Sequence, residues 1–397
     1  MTEKNKTHEI ITEASSRGLT VKQRVQIGNR RSVRRRRSFV LPLVCFAVLF
    51  ALMFCIGSIE SNAAASAKSP EGTPNGGLQL TFLGDIMMGR YIGQMCDDKG
   101  YDRLFSGISG IWSNSDHVFA NLESPVRTGD TSGYQKRLDG IPLIASETAV
   151  LSMQAAGIDV VGFSNNHCFD YGKAGYDNSR AFFDSIGLIH AGATPDDTQS
   201  GVPPYTVITT ENGKKIGFIA ITSVYSPETA HGGVLTTNHF MFYRYITASA
   251  QANDLTVVYL HSGNEYTAIL DDKQQDVAHS IIDAGADMVI GSHPHNVQPV
   301  ELYGNGIIFY SLGNFIMDQS NTFTRDGIIV QYNESEDGRR FFETIPIRIN
   351  DGCPRVTTKG FYTRRINRIL TKLLEPESFT ETADGHIIIE LPPKVNF

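Results

Sequence analysis

The sequence predicts an α/β layered domain preceded by a single transmembrane helix. Three observations point there. Short apolar runs alternate with helix-like stretches along residues 78–320. An uncharged run of 21 residues, Phe39 to Ile59, stands near the start of the chain. Polar residues of metal-ligating type follow one apolar run after another. With 397 residues, 41% hydrophobic and 19% charged, the chain is long enough for one large or two medium domains and too apolar to be mostly disordered.

Charge divides the chain. Residues 1–59 hold eleven Lys/Arg and three Asp/Glu, whereas the remainder holds 24 basic and 39 acidic side chains, a net of −15. The run FVLPLVCFAVLFALMFCIGSI has the length a helix needs to cross a bilayer. Arg30, Arg31, Arg34, Arg35, Arg36 and Arg37 precede it, and basic charge of that density stays on the cytoplasmic side. The expected layout is a basic cytoplasmic tail over 1–38, an anchor over 39–59 and a flexible small-residue linker over 60–77. The remainder is then extracellular, on a single-pass protein of the cell membrane. Ala65-Ser66-Ala67 has the character of a signal cleavage site, but the apolar run exceeds the ~7–15 residues of a signal core. The Arg cluster is better explained by the adjacent apolar run than by nucleic acid, and no nucleic-acid partner is expected.

Of five Cys, Cys45 and Cys55 fall in the anchor. Cys96, Cys168 and Cys353 remain, enough for at most one bridge, which excludes a disulfide-stapled scaffold. Cys168 stands beside a His, yet a buried filler thiol explains it better than a nucleophile.

Beyond the linker, strand-like runs are expected at 78–83, 117–120, 158–163, 215–222, 255–260, 287–290 and 307–310. Helix-like stretches are expected at 145–156, 174–186 and 274–284, each followed by Gly. Asp85, Glu123, Asn166 with His167, His261, His293 with His295, and Asn314 stand directly after six of these runs. In open α/β sheets, sites form beyond the carboxyl ends of strands. A lone Asp or His there is ordinarily turn chemistry or structure; six such ends are hard to assign to turns. Carboxylate, amide oxygen and imidazole together suit a divalent first-row metal such as Zn, Mn or Fe. A His-x-His turn can aim two rings at neighbouring positions, and paired metals are a known device for hydrolysis.

The motifs Gly84-Asp85-Ile86-Met87, Asn121-Leu122-Glu123, Asn165-Asn166-His167 with Asp170-Tyr171-Gly172, His261-Ser262-Gly263-Asn264-Glu265-Tyr266, Gly291-Ser292-His293-Pro294-His295 and Ser311-Leu312-Gly313-Asn314-Phe315 occur in that order. Together they resemble the poly-γ-glutamate capsule biosynthesis family, CapA. The resemblance spans about residues 79–320. It implies a calcineurin-like metallophosphoesterase fold, a four-layer sandwich of two mixed sheets flanked by helices.

The resemblance also implies roles. Asp85 matches a ligand of a first metal, Glu123 a bridging ligand, Asn166, His261 and His293 ligands of a second metal, and His295 a further ligand of the first. His167 matches the His that protonates a leaving group or steadies the transition state. Glu265 is a possible extra acid or substrate contact, with a solvated surface Glu an equal alternative. Met87 stands where the fold normally has a His, which leaves the first metal short of a ligand. Ser262 stands where the family commonly has Trp.

The implied partners are anionic poly-γ-glutamate or a related polymer and the membrane synthase or export subunits that make it. The implied activity is that of a metal-dependent hydrolase or transferase, with a non-catalytic polymer-binding or scaffold subunit as the alternative. Residues 321–397, which include a hairpin around 333–338 and a basic helical stretch at 361–374, read as an extension of the same domain.

Overall fold

The computed structural model of the chain describes residues 77–194, 205–225, 233–239 and 241–391. The chain divides into two compact units, 1–63 and 64–397, and every described residue belongs to the second. The expected cytoplasmic tail, anchor and nearly all of the linker lie outside the described residues. Among the described residues, no helix is long and apolar enough to cross a membrane.

In chain order the strands are β1 (Leu78–Ile86), β2 (His117–Leu122), β3 (Val126–Arg127), β4 (Ala145–Ser146), β5 (Val160–Gly162), β6 (Ile189–Ala191), β7 (Thr206–Thr209), β8 (Lys215–Thr222) and β9 (Leu255–His261). There follow β10 (Met288–Ser292), β11 (Val300–Tyr303), β12 (Gly306–Phe309), β13 (Asn314–Ile316), β14 (Asp326–Glu334), β15 (Arg340–Asn350), β16 (Cys353–Val356), β17 (Phe379–Glu381) and β18 (Ile387–Leu391). The helices are α1 (Arg90–Lys99), α2 (Glu147–Ala155), α3 (Gly172–Ile186), α4 (Phe242–Ala252), α5 (Asp272–Asp283) and α6 (Phe361–Leu370).

Two mixed sheets result. The first runs β17-β18-β15-β14-β1-β2-β5-β6, with β13 also on β1 and β16 on β15; the second runs β11-β12-β10-β9-β8-β7. In the first, β1 is parallel to β2 and β13 and antiparallel to β14. In the second, β8, β9, β10 and β12 are parallel.

The sequence of β1, LQLTFLGDI, is buried at all nine positions, as expected of a strand covered on both faces. Leu78, Leu80 and Phe82 face the core between the sheets, where they meet Phe218, Val257, Tyr259, Val330 and Phe342. Leu83 and Ile86 face an outer core closed by Ile92 of α1, Val150 and Met153 of α2, and Phe183 of α3. The far side of the second sheet, with Ile219, Val258 and Val289, is closed by Ile246 of α4 and Ile281 of α5. The layers are therefore helices, sheet, sheet, helices, as expected. The C-terminal residues are not an appendage to this arrangement: β14 pairs along β1, and β15 and β18 continue the sheet outward.

Candidate metal centre

The two sheets lie face to face, and their parallel strands end on one edge. Asp85 lies inside β1, one residue before its end at Ile86, so the strand runs three residues past the boundary expected at 83; a register irregularity separates Asp85 from Ile86. Asp85 pairs in register with Asn121 of β2 and Asn314 of β13. His261 is the last residue of β9, in register with Ser292 of β10. Glu123 follows β2, and Asn166 and His167 follow β5. His293 and His295 follow β10, with left-handed φ values of 97° and 56°. Such values are uncommon for residues other than Gly and occur where surroundings over-determine the backbone. Here the His293 N–H donates to Asp85 Oδ2 at 3.2 Å.

Side-chain atoms of Glu123, His261 and His293 lie within 4.8 Å of one another, as do those of Asp85, Glu123 and His295. Glu123 is shared, and the two groups divide the residues as the sequence reading divides them. Asn166 joins the first group through Oδ1, 2.8 Å from His261 Nε2. The far nitrogen of His261 is held by Ser292 Oγ at 3.0 Å. His295 Nδ1 is held by Asn314 Oδ1 at 2.9 Å and lies 3.5 Å from Asp85 Oδ2, and the Asn314 amide donates to Gln319 Oε1 and to the Thr324 carbonyl. Asn314 is thus a positioning residue and not only a turn former.

These residues suit a bound cation. Glu123 is fully buried and neither of its oxygens has a hydrogen-bond partner; His293 Nδ1 is also buried without one. A buried carboxylate without hydrogen bonds is costly unless a charge compensates it. Burial, and then the nearby Asp85 carboxylate, push the Glu123 pKa well above the ordinary range. Burial and the neighbouring rings hold His261 well below its ordinary value and His293 down to about 3. Both are therefore neutral imidazoles, the ligating form. Burial also opposes charge on His295, but Glu123 and Asp85 outweigh it and raise its pKa to about 9. A proton on His295 and a divalent cation answer the same excess of negative charge.

The remaining expected residues divide. His167 is brought to the edge of the cluster, with Nδ1 2.6 Å from Oδ2 of the buried Asp170. Asp170 is itself fixed by the Leu143 N–H at 2.6 Å and Arg137 Nη1 at 3.2 Å. Glu265 is exposed and is not drawn into either group. Its neighbour Tyr266 stacks on His295 at 5.8 Å between ring centroids, a contact that sequence reasoning missed. Met87 is fully buried, and its sulfur accepts from the Gly89 N–H at 3.2 Å. Cys96, Cys168 and Cys353 are all free and buried, so no bridge forms among them. Burial pushes the Cys168 thiol far up, which removes it as a nucleophile.

A layered α/β protein with a carboxylate and imidazole cluster astride two sheet ends is the class this chain defines. Residues 79–319 match the family described as bacterial capsule synthesis protein PGA_cap. The chain is 32% identical over 367 residues to the capsule biosynthesis protein CapA of Bacillus anthracis, covering 90% of this chain and 86% of that protein. It is 30% identical over 360 residues to the PGA biosynthesis protein CapA of Bacillus subtilis, covering 89% and 91%. The chain belongs to the CapA family of poly-γ-glutamate capsule biosynthesis proteins. Among solved structures, a 5'-nucleotidase from Candida albicans aligns at 11% identity and a TM-score of 0.40, over 80% of this chain and 58% of that one. That likeness is too weak to bear on the fold.

Proposed function

We propose that this protein is a membrane-anchored, extracytoplasmic component of poly-γ-glutamate biosynthesis or export that acts as a metal-dependent hydrolase or transferase. The observation that carries the reading is the pair of buried residue groups sharing Glu123, whose oxygens have no hydrogen bond. Glu123, His261, His293 and Asn166 would hold one divalent ion firmly; Asp85, Glu123 and His295 would hold a second more loosely, because Met87 contributes nothing. Such ions supply Lewis-acid polarisation and water activation. The protein's own groups do the rest. Asp170 fixes the His167 ring through Nδ1, which assigns proton transfer to Nε2. Asn314 and Ser292 hold the rings of His295 and His261 in place. Tyr266 covers one face of His295.

Metal content tests the reading. Wild type should carry two ions per chain when loaded with Mn or Zn. His293→Ala should abolish tight binding, His295→Ala should lose only the loose ion, and Met87→His should tighten it. Unaltered metal content in His293→Ala would make the cluster purely structural. Met87, buried and engaged by backbone, favours one second reading: a polymer-binding or scaffold subunit of a membrane synthase. No metal in wild type, with polymer binding retained, is the outcome that reading expects.

A further inference from the structure

Residues 352–374, GCPRVTTKGFYTRRINRILTKLL, contain six Lys/Arg and no Asp/Glu. They sit in a part of the chain whose net charge is −15, so this is a concentrated exception. Much of the segment is α6, which turns Thr363, Ile366, Asn367 and Leu370 inward. Arg364, Arg368 and, in the turn that follows, Lys372 are exposed, and Phe361 at the start of the helix is 59% exposed. Neither ion pair nor side-chain hydrogen bond engages Arg364, Arg368 or Lys372 among the described residues.

Arg365 behaves differently. Its Nε donates to Asp326 Oδ2 at 2.9 Å, and its guanidinium lies over the rings of Phe323 and Tyr362 at 4.8 and 5.0 Å. Arg348 shares Asp326 and also donates to the Thr322 carbonyl at 3.1 Å. Two residues further on, the Thr324 carbonyl accepts from the same Asn314 amide that holds His295. The start of α6 is therefore one short loop away from the metal centre.

We infer that the outward face of α6, from Phe361 through Arg364 and Arg368 to Lys372, is a docking track for a linear polyanion, along which the capsule polymer is led to the strand-end site. The inference rests on the polymer reading above. Side chains four apart on a helix recur every ~6 Å. A γ-linked glutamate contributes five backbone bonds and one carboxylate per unit, also roughly 6 Å when extended at peptide bond lengths. Successive carboxylates thus step at the interval of the cations. A local basic stripe also overcomes the repulsion an acidic domain offers a polyanion. An anionic bilayer would meet the same cations, but it would face the acidic remainder of the domain as well.

The test uses the purified full chain and fluorescently labelled poly-γ-glutamate, followed by anisotropy from 50 to 500 mM salt. The triple variant Arg364→Glu/Arg368→Glu/Lys372→Glu should bind roughly tenfold more weakly at low salt, with the difference shrinking as salt rises. Arg365 is left in place because it anchors the fold; melting temperature and metal content should be unchanged. Glutamate monomer should compete equally poorly in both proteins. Polymer binding by the variant equal to wild type overturns the inference and leaves the polymer reading standing. Failure of wild type to bind polymer at all overturns both. Binding of wild type, but not the variant, to phosphatidylglycerol vesicles with equal polymer binding by the two assigns the stripe to lipid and overturns the inference.

Discussion

Glu123 concentrates the physics of the site in one side chain. Its folded pKa is raised above the ordinary 4.5. A raised carboxyl lowers stability at neutral pH, and stability recovers as pH falls through the folded pKa toward the unfolded one. Glu123→Gln should therefore melt higher than wild type in EDTA at pH 7, by about 1–3 kcal/mol, with the gain vanishing below about pH 4. With Mn or Zn in excess the order should invert, because only wild type gains binding free energy. Thermal melts in the two buffers across pH decide this; a Gln variant less stable than wild type in EDTA would mean Glu123 has a partner other than a cation. The candidates Asp85, Glu123, His261, His293 and His295 were legible in the sequence because each stands at the end of, or just after, an apolar run. The roles of Asp170, Asn314 and Tyr266 were less so. Each depends on a partner distant in sequence or around a loop, and no local pattern records that the Asn314 amide oxygen meets His295.

Elements were legible where burial was complete. The runs of β1, β8, β9 and β10 read as strands because both faces are covered. Helix α4 was not read, because its inward positions Phe242, Tyr245, Ile246 and Ser249 mix aromatic, apolar and polar types and blur the stripe. Edge strands such as β7 and β17 are too short and too exposed to alternate clearly. Close packing of the central elements explains Gly84. A Cβ there would lie 1.9 Å from the Gly313 carbonyl oxygen, and that oxygen accepts from the Asp85 N–H. Neither side of this contact is a flexible side chain. Gly84→Ala should cost roughly 3 kcal/mol, read as a lower urea midpoint, and should weaken metal binding because Asp85 moves with it. A midpoint within error of wild type would show that β1 and β13 separate easily.

For the whole molecule, the family match ends at residue 319, yet the first sheet does not. β14 lies between β1 and β15, and Ile328, Val330 and Tyr332 belong to the core between the sheets. A chain of residues 60–397 should be soluble and fold cooperatively, whereas 60–320 should aggregate, since β1 would present an open apolar edge. Solubility and circular dichroism of the two chains check this; a folded 60–320 would make the last strands dispensable. We also propose, from the Arg30–Arg37 cluster, that protease added outside intact cells removes the mass beyond residue 60 and spares an N-terminal tag. Loss of the tag with survival of the C-terminus would invert the orientation.

One buried hydroxyl bears on all of this. Tyr259 of β9 donates toward the Leu83 and Phe119 carbonyls of β1 and β2, at 3.0 and 3.1 Å. Leu83 and Phe119 are two and four residues from Asp85 and Glu123, and Tyr259 is two from His261. The phenol therefore acts as a gauge block: it sets the gap between two plates that each carry half of the candidate ligands. On the proposed metal reading, which ion the cluster accepts is then a matter of spacing as much as of donor chemistry, governed by a side chain outside both ligand groups.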